Sequence, residues 1–403
     1  MVTYLLDWAG LLVRWLHVIA GIAWIGASFY FVWLDNHLRP VAEPERVDPG
    51  VGGELWAVHG GGFYRSQKYR VAPAMLPETL HWFYWEAYTT WLSGFGLLCL
   101  LYFIRAEAYL IDPAVAPLSK PAAIGIAMGV LIAAWLIYDA LCRSPLGRQA
   151  NVLAGAVALL VAVEAWGVCH LFSGRGAFMI FGSSLGTIMV ANVLFVIIPG
   201  QRELVHAKRQ GREPDAAPGL RGKQRSVHNT YFTLPVVFVM ISNHYAMTYG
   251  ARNNWLVLIA MSFAGACIRA WFVARHRRAG NEARMALPAV LGVVTLIGVA
   301  AALVPSFAPN GTPAARLAAP PVDRAQAERI VAQRCVPCHA TSPTQAGFNA
   351  APNGLVFESI DQLLAHLPEV QQQLTTRTMP LGNLTHMTDE ERASLLMWLG
   401  HRP

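Results

Sequence analysis

Apolar residues run in long, almost unbroken stretches through the first three-quarters of the chain, separated by short polar segments. Crossing a bilayer takes about 20 mostly apolar residues. Eight stretches fit that length within a few residues: 8–34, 82–104, 122–141, 151–172, 177–199, 231–249, 254–273 and 285–305. The pattern predicts an all-α, polytopic eight-helix transmembrane bundle over residues 1–305. The first stretch reads as a retained helix and not a removable leader. It is long, carries Trp8, Trp15, Trp24 and Trp33, and lacks a small-residue cleavage site.

Polar side chains are costly inside a bilayer and turn toward the bundle interior. In the first stretch Gly10, Arg14, His17, Gly21, Trp24 and Ser28 recur every three or four positions and so share one face. Glu86, Thr90 and Ser93 do the same in the second. The fourth carries Glu164 and His170, and the sixth carries Asn243 and His244. The eighth has only Thr295 between Leu287 and Val304, which places it at the lipid-facing edge.

Composition narrows the class. The 403 residues are 55% hydrophobic and 14% charged, against about 45–50% and 25% for soluble domains. One soluble globule and a disordered chain are both excluded, and six cysteines are too sparse for a disulfide scaffold. Residues 1–305 hold 24 basic and 16 acidic groups, while residues 306–403 hold 7 and 8. The basic groups are scattered between apolar stretches, so nucleic acid is not an expected partner. Loops after the odd-numbered stretches contain 18 Lys and Arg, and those after the even-numbered ones contain 4. That asymmetry puts the odd loops in the cytoplasm and both termini outside.

Residues 306–321, rich in Ala and Pro, read as a semi-extended linker. A helix over 323–333 then leads into Cys335-Val-Pro-Cys338-His339, the attachment signature of a c-type haem. Two thiols at this spacing can each form a thioether to one porphyrin, and the next residue sets its imidazole under the iron. Met379, in Thr378-Met379-Pro380, is the expected second axial ligand, and methionine opposite histidine raises the reduction potential. Met387 and Met397 compete, but Met397 falls on the closing helix expected over 389–399. The tail over 322–403 resembles class I cytochrome c domains in full, which implies a covalent haem c in the periplasm.

By depth, His17, His170 and His244 all fall in the outer half of the bundle. Two of them are able to serve as axial ligands of a non-covalent b haem; the plain alternative is that each bonds a neighbouring helix. On the cytoplasmic side, Glu54 to Arg70 combines three glycines (60–62), aromatics and the cations Arg65, Lys68 and Arg70. His81 and the aromatic run Trp82 to Trp85 follow, ending at Glu86. Such a segment suits a flat anionic heterocycle; its plain alternative is an interfacial aromatic belt with positive-inside charge.

Four stretches together resemble the bacterial membrane-bound urate oxidases, whose urate hydroxylase membrane domain is fused to a C-terminal cytochrome c. They are Arg14 to Gly26, His59 to Arg65, His228-Asn-Thr-Tyr-Phe-Thr-Leu-Pro235 with Asn243-His244-Tyr245, and Thr378 to Asn383. The likeness extends over the whole chain and implies oxidation of urate to 5-hydroxyisourate, with two electrons passing to the haem c. A respiratory-chain oxidase or a soluble cytochrome c is then the onward acceptor. On this reading His59, Arg65 and Glu86 form the catalytic pocket, and Glu86 is the proton acceptor. The haem c and the urate side are separated by about 30 Å of hydrocarbon, so His17 and His244 are expected to hold a b haem between them. The rival readings are a non-catalytic, membrane-anchored electron-transfer subunit and a transporter with a redox tail. A transporter predicts internal repeats, and none is visible.

Overall fold

The computed structural model describes residues 2–41, 50–275, 282–304, 323–345, 348, 350–375 and 377–400. The linker expected over 306–321 lies outside them. The described chain is mostly helical. In order, the first elements are α1 (Val2–His37), a hairpin of β1 (Val51–His59) and β2 (Gly62–Tyr69), α2 (Trp85–Leu97), α3 (Ala106–Tyr109) and α4 (Lys120–Arg143). They are followed by α5 (Ala150–Cys169), α6 (Gly174–Asn192), α7 (Ile198–Arg209), α8 (Ala216–Ser242), α9 (Ala246–Tyr249), α10 (Asn254–Ala274) and α11 (Glu282–Ala302).

Among the described residues, five helices are long and apolar enough to cross a membrane: Tyr4–His37, Lys120–Arg143, Ala150–Cys169, the continuous Gly174–Arg209, and Asn254–Ala274. Ala286–Ala302 is a shorter apolar helix. Helices also occupy the expected stretches 82–104 and 231–249, but both depart from a plain apolar rod. α2 widens into a π-helical turn at Leu98–Phe103, and α8 begins on a polar segment and contains Pro235. α6 likewise passes through a π turn, Val193–Ile197, into α7.

The hairpin corrects the all-α expectation. β1 and β2 pair antiparallel with His59 opposite Gly62, leaving Gly60 and Gly61 as a two-residue turn with φ of +57° and +80°. A two-residue hairpin turn of this hand requires positive φ at both positions. The glycines therefore serve the chain reversal itself, and the flanking residues pair as two strands.

α6 is the axle of the bundle: Phe178, Ile180, Phe181, Leu185 and Ile188 are fully buried, and it packs on α4, α5 and α8. The stripes expected on α1 and α2 do face each other. His17 Nδ1 lies 2.9 Å from the Thr90 carbonyl and 3.2 Å from Ser93 Oγ. α11 packs on α10 and leaves Leu287, Val290, Val294 and Ile297 exposed.

The tail contains α12 (Arg324–Arg334), α13 (Ile360–Leu364), α14 (Leu367–Thr375) and α15 (Asp389–Gly400). α15 packs on α12 and α14 over a core that includes Ile330, Phe357, Leu363, Met387 and Leu395. Arg334 grips Glu391 with two hydrogen bonds of 2.9 and 2.8 Å.

Candidate functional site

A cleft of about 910 Å³ opens where α4, α7 and α8 converge. Its rim carries Arg143, Arg148, Glu203, Arg221 and Gln224, and its wall includes Cys142 and Arg225. The cleft is closed at one corner by Gln224, whose amide donates to the Gly147 carbonyl at 2.8 Å. A volume near the top of the usual range for small-molecule sites and a basic rim fit an anionic ligand.

Arg225 is the chemical centre of that wall. It is 3% exposed, and a buried charge is tolerated only when paired. Its Nη2 donates to Asp139 Oδ1 at 2.7 Å, and its guanidinium lies 5.0 Å from the centre of the Tyr138 ring. Asp139 Oδ2 accepts from Arg143 at 2.6 Å, so one carboxylate on α4 ties both arginines. Arg225 Nη1 is buried and has no hydrogen-bond partner, which leaves one strong donor unspent on a residue that lines the cleft.

Behind the wall lies a polar centre. The Tyr138 hydroxyl is 2.7 Å from His228 Nδ1 and accepts from Asn192 Nδ2 at 3.2 Å. Asn192 also donates to Asn229 Oδ1 at 2.9 Å, and Asn229 donates to the Met189 carbonyl at 3.0 Å. Cys142 Sγ sits 3.9 Å from His228 Nδ1, so the thiol on the cleft wall and the imidazole behind it adjoin. Asn192 Oδ1 has no hydrogen-bond partner. Asn192 immediately precedes the π turn at 193–197, and such turns gather at functional sites because they re-aim the flanking side chains.

The sequence-predicted trio is placed apart from this cleft. His59 is exposed at the hairpin turn. Arg65 is engaged by Glu54 at 2.6 Å and lies 5.4 Å from the centre of the Trp56 ring. Glu86 stands in the first turn of α2, with Oε2 buried and without a partner. No hydrogen bond among the described residues joins any two of the three.

In the tail, His339 is buried and its Nδ1 lies 2.8 Å from the Leu355 carbonyl, which leaves Nε2 as the free ring nitrogen. A backbone carbonyl on the other ring nitrogen is how metal-ligating histidines are oriented. Burial also holds His339 below its ordinary pKa, in the neutral form that binds metal. Cys335 and Cys338 are free thiols, the former pushed up to about 12 by burial. Met379 is half-buried, and its carbonyl accepts from Arg392 at 2.5 Å; Met387 belongs to the core. The donor set, its free Nε2 and its two unpaired thiols fit a covalently held haem.

His17 has the same carbonyl-bonded Nδ1 as His339, and Gly94 leaves room for its ring: a Cβ there would stand 2.8 Å from Cε1. His244 is exposed in the turn between α8 and α9. No hydrogen bond or ring contact among the described residues joins it to His17. His17 fits an axial ligand, and its partner is not brought to it here.

Sequence reading missed Tyr138, Asp139, Asn192 and Arg225 as site residues, and it placed His228 and Asn229 in a family-like stretch without giving them a role. Their signal is present: Tyr-Asp ending one apolar stretch, a lone Asn in another, and Arg225 to Asn229 at the head of a third. Residues 3–302 match the protein-family model described as urate oxidase N-terminal. No curated protein and no solved structure matches the chain.

Proposed function

Because the chain belongs to the urate oxidase N-terminal family, an assignment that makes it an oxidoreductase acting on urate, we propose that it is a bacterial inner-membrane enzyme. It converts urate and water to 5-hydroxyisourate, two protons and two electrons. The electrons pass to a haem c on its own periplasmic tail, and a respiratory-chain oxidase or a soluble cytochrome c draws them onward. In this reading all eight apolar stretches cross the membrane and both termini face the periplasm.

The observation that supports the substrate assignment is Arg225: a buried guanidinium with one unpartnered donor, in a residue that lines a cleft with a basic rim. Urate is flat and anionic, and a planar guanidinium fork binds such a group with direction as well as charge. Arg225 anchors the anion, and Gln224 at the rim supplies a further polar contact. His228 takes, at Nε2, one of the two protons released on hydroxylation, while the Tyr138 hydroxyl fixes the ring through Nδ1, and the other proton leaves to water in the cleft. Cys335, Cys338, His339 and Met379 would hold a haem c, which would supply the one-electron acceptor. The gap between cleft and tail calls for a relay; His17 would supply one axial ligand of a b haem in the outer half, and His244, the expected second, is not brought to it in this structure.

A second placement of the substrate, at His59, Arg65 and Glu86, has one observation in its favour: the orphaned carboxylate oxygen of Glu86. Anaerobic mixing of the purified holoprotein with urate tests the function. The c-haem absorbance shifts to its reduced form if the reading holds, and stays oxidised if the bundle is only an anchor. Pyridine haemochrome analysis with acid-acetone extraction separates the covalent from the extractable haem.

A further inference from the structure

Electrons that start at the Arg225 cleft and finish in the tail must leave the bundle at its opposite end. α4 runs the whole way between: its first residue, Lys120, donates to the Ile104 carbonyl beside α3 at 2.7 Å, and Cys142 and Arg143 near its other end line the cleft. Twenty-four residues at about 1.5 Å each make that separation roughly 36 Å.

At the α3 end the tail touches the bundle. Gly382, three residues after Met379, has φ of +55°, and a Cβ on it would stand 2.8 Å from the Glu107 carbonyl and 3.0 Å from that of Ala108. The tail backbone thus lies directly on the backbone of α3. That seat is rigid: Ala106 and Leu110 are fully buried, Ser173 Oγ donates to the Tyr109 carbonyl at 2.7 Å, and Ser173 N donates to that of Leu110 at 2.9 Å.

Beneath the seat is a compact aromatic and cationic cluster. The Tyr109 and Tyr102 rings are 6.1 Å apart, and the Arg175 guanidinium lies 4.8 Å from the Tyr109 ring centre. Tyr102 and Arg175 both donate to Asn243 Oδ1 at 3.0 Å. Tyr102 belongs to the π turn of α2, and Asn243 adjoins His244. On the tail side, Arg392 holds the Met379 and Leu374 carbonyls, so the loop bearing the expected axial methionine is itself fixed.

We infer that the Gly382 turn seated on Glu107–Ala108 is the electron exit of the bundle, with Tyr102 and Tyr109 as the packed medium between the membrane interior and the Met379 loop. The inference rests on reading the tail as haem-bearing. Neither tyrosine is oxidised; close packing shortens the gap across which electrons tunnel. A haem c there would take one electron at a time, so the two from each urate would cross singly, with an external one-electron acceptor clearing the first before the second.

Two substitutions on opposite sides of the seat test this in the full-length holoprotein: Gly382→Ala on the tail and Ala108→Arg on the bundle. Each is expected to slow urate-driven reduction of the c haem by about tenfold or more and to raise amide hydrogen exchange over residues 106–111. Haemochrome content and direct reduction by ascorbate should stay at wild-type levels. Unchanged exchange in both variants overturns the seat, and raised exchange with an unchanged urate-driven rate overturns the exit. Should Gly382→Ala alter ascorbate reduction by disturbing Met379, Ala108→Arg decides, since it leaves the tail sequence intact. A holoprotein without covalent haem removes the tail reading and this inference with it, and is recognised at the haemochrome step before any rate is measured.

Discussion

Tyr138 on α4 and His228 on α8 meet across the helix interface, hydroxyl to Nδ1, at 2.7 Å, directly behind the wall that carries Cys142 and Arg225. The pair is fixed from a third helix by Asn192. If His228 takes the proton, His228→Gln should lower kcat by about 10²–10⁴ while leaving urate affinity near wild type, because Arg225 is untouched. Tyr138→Phe removes only the hydroxyl that orients the ring and should lower kcat by less than His228→Gln, without abolishing turnover. Steady-state kinetics from pH 5 to 9 check both; an unchanged kcat in His228→Gln would refute the assignment.

Arg225 carries the opposite signature. Arg225→Lys keeps the charge that faces Asp139 but loses the planar fork. The loss of a hydrogen bond to a charged group is worth about 1.5–3 kcal/mol, or roughly 10- to 150-fold in affinity. KM for urate should rise by about that factor with kcat little changed. Arg225→Leu would leave Asp139 with Arg143 alone in a buried setting and should destabilise the protein by about 3–5 kcal/mol, so the lysine variant is the informative one. Urate titration of oxidised Arg225→Lys holoprotein measures the binding change directly.

These residues show what the sequence did and did not make legible. The helices were readable because a long apolar run in a basic chain has few alternatives, and Cys335-x-x-Cys338-His339 was readable because its spacing is chemical. The hairpin was not. Its Gly60-Gly61 turn was visible, but lying between two apolar stretches it read as a ligand-approaching loop. The cleft was harder still. Arg225, His228 and Asn229 precede the apolar stretch that begins at 231, and counting hydropathy cuts them off as loop. In the structure, α8 continues back to Ala216 and carries them against α4 and α6. The π turns after Asn192 and around Tyr102 also lie outside anything that a 3.6-residue period reports.

The two placements of the substrate are separable by one pair of variants. His59→Ala alters an exposed side chain at a hairpin turn, and Glu86→Gln removes a carboxylate whose buried Oε2 has no partner. With the substrate at Arg225, both variants should keep kcat/KM within about threefold of wild type, a change below 1 kcal/mol. With the substrate at the hairpin, Glu86→Gln should instead lose about 10²-fold or more as the general base disappears. Parallel kinetics of these two and Arg225→Lys distinguish the sites.

Acid should loosen the tail through one carboxylate. Glu391 is held below the ordinary carboxylate range first by the hydrogen bonds from Arg334, against the opposing effect of burial, and also by the Thr388 backbone N–H. A carboxyl depressed in the folded state contributes stability that is present above its unfolded pKa of about 4.3 and is lost as pH falls through the folded value. Both side chains are about one-quarter exposed, so the pair is expected to contribute roughly 1 kcal/mol. That corresponds to about 4–8 °C in Tm for a domain of this size. Glu391→Gln retains the side-chain acceptor that caps α15 at Thr388 but removes the charge facing Arg334. Thermal melts of the full chain, scored by cleavage within residues 323–400 by an acid-tolerant protease, should show the variant less stable than wild type at pH 7. The two should converge near pH 3, as wild-type Glu391 protonates. An equal pH dependence in both proteins would show that Glu391 is not the titrating group.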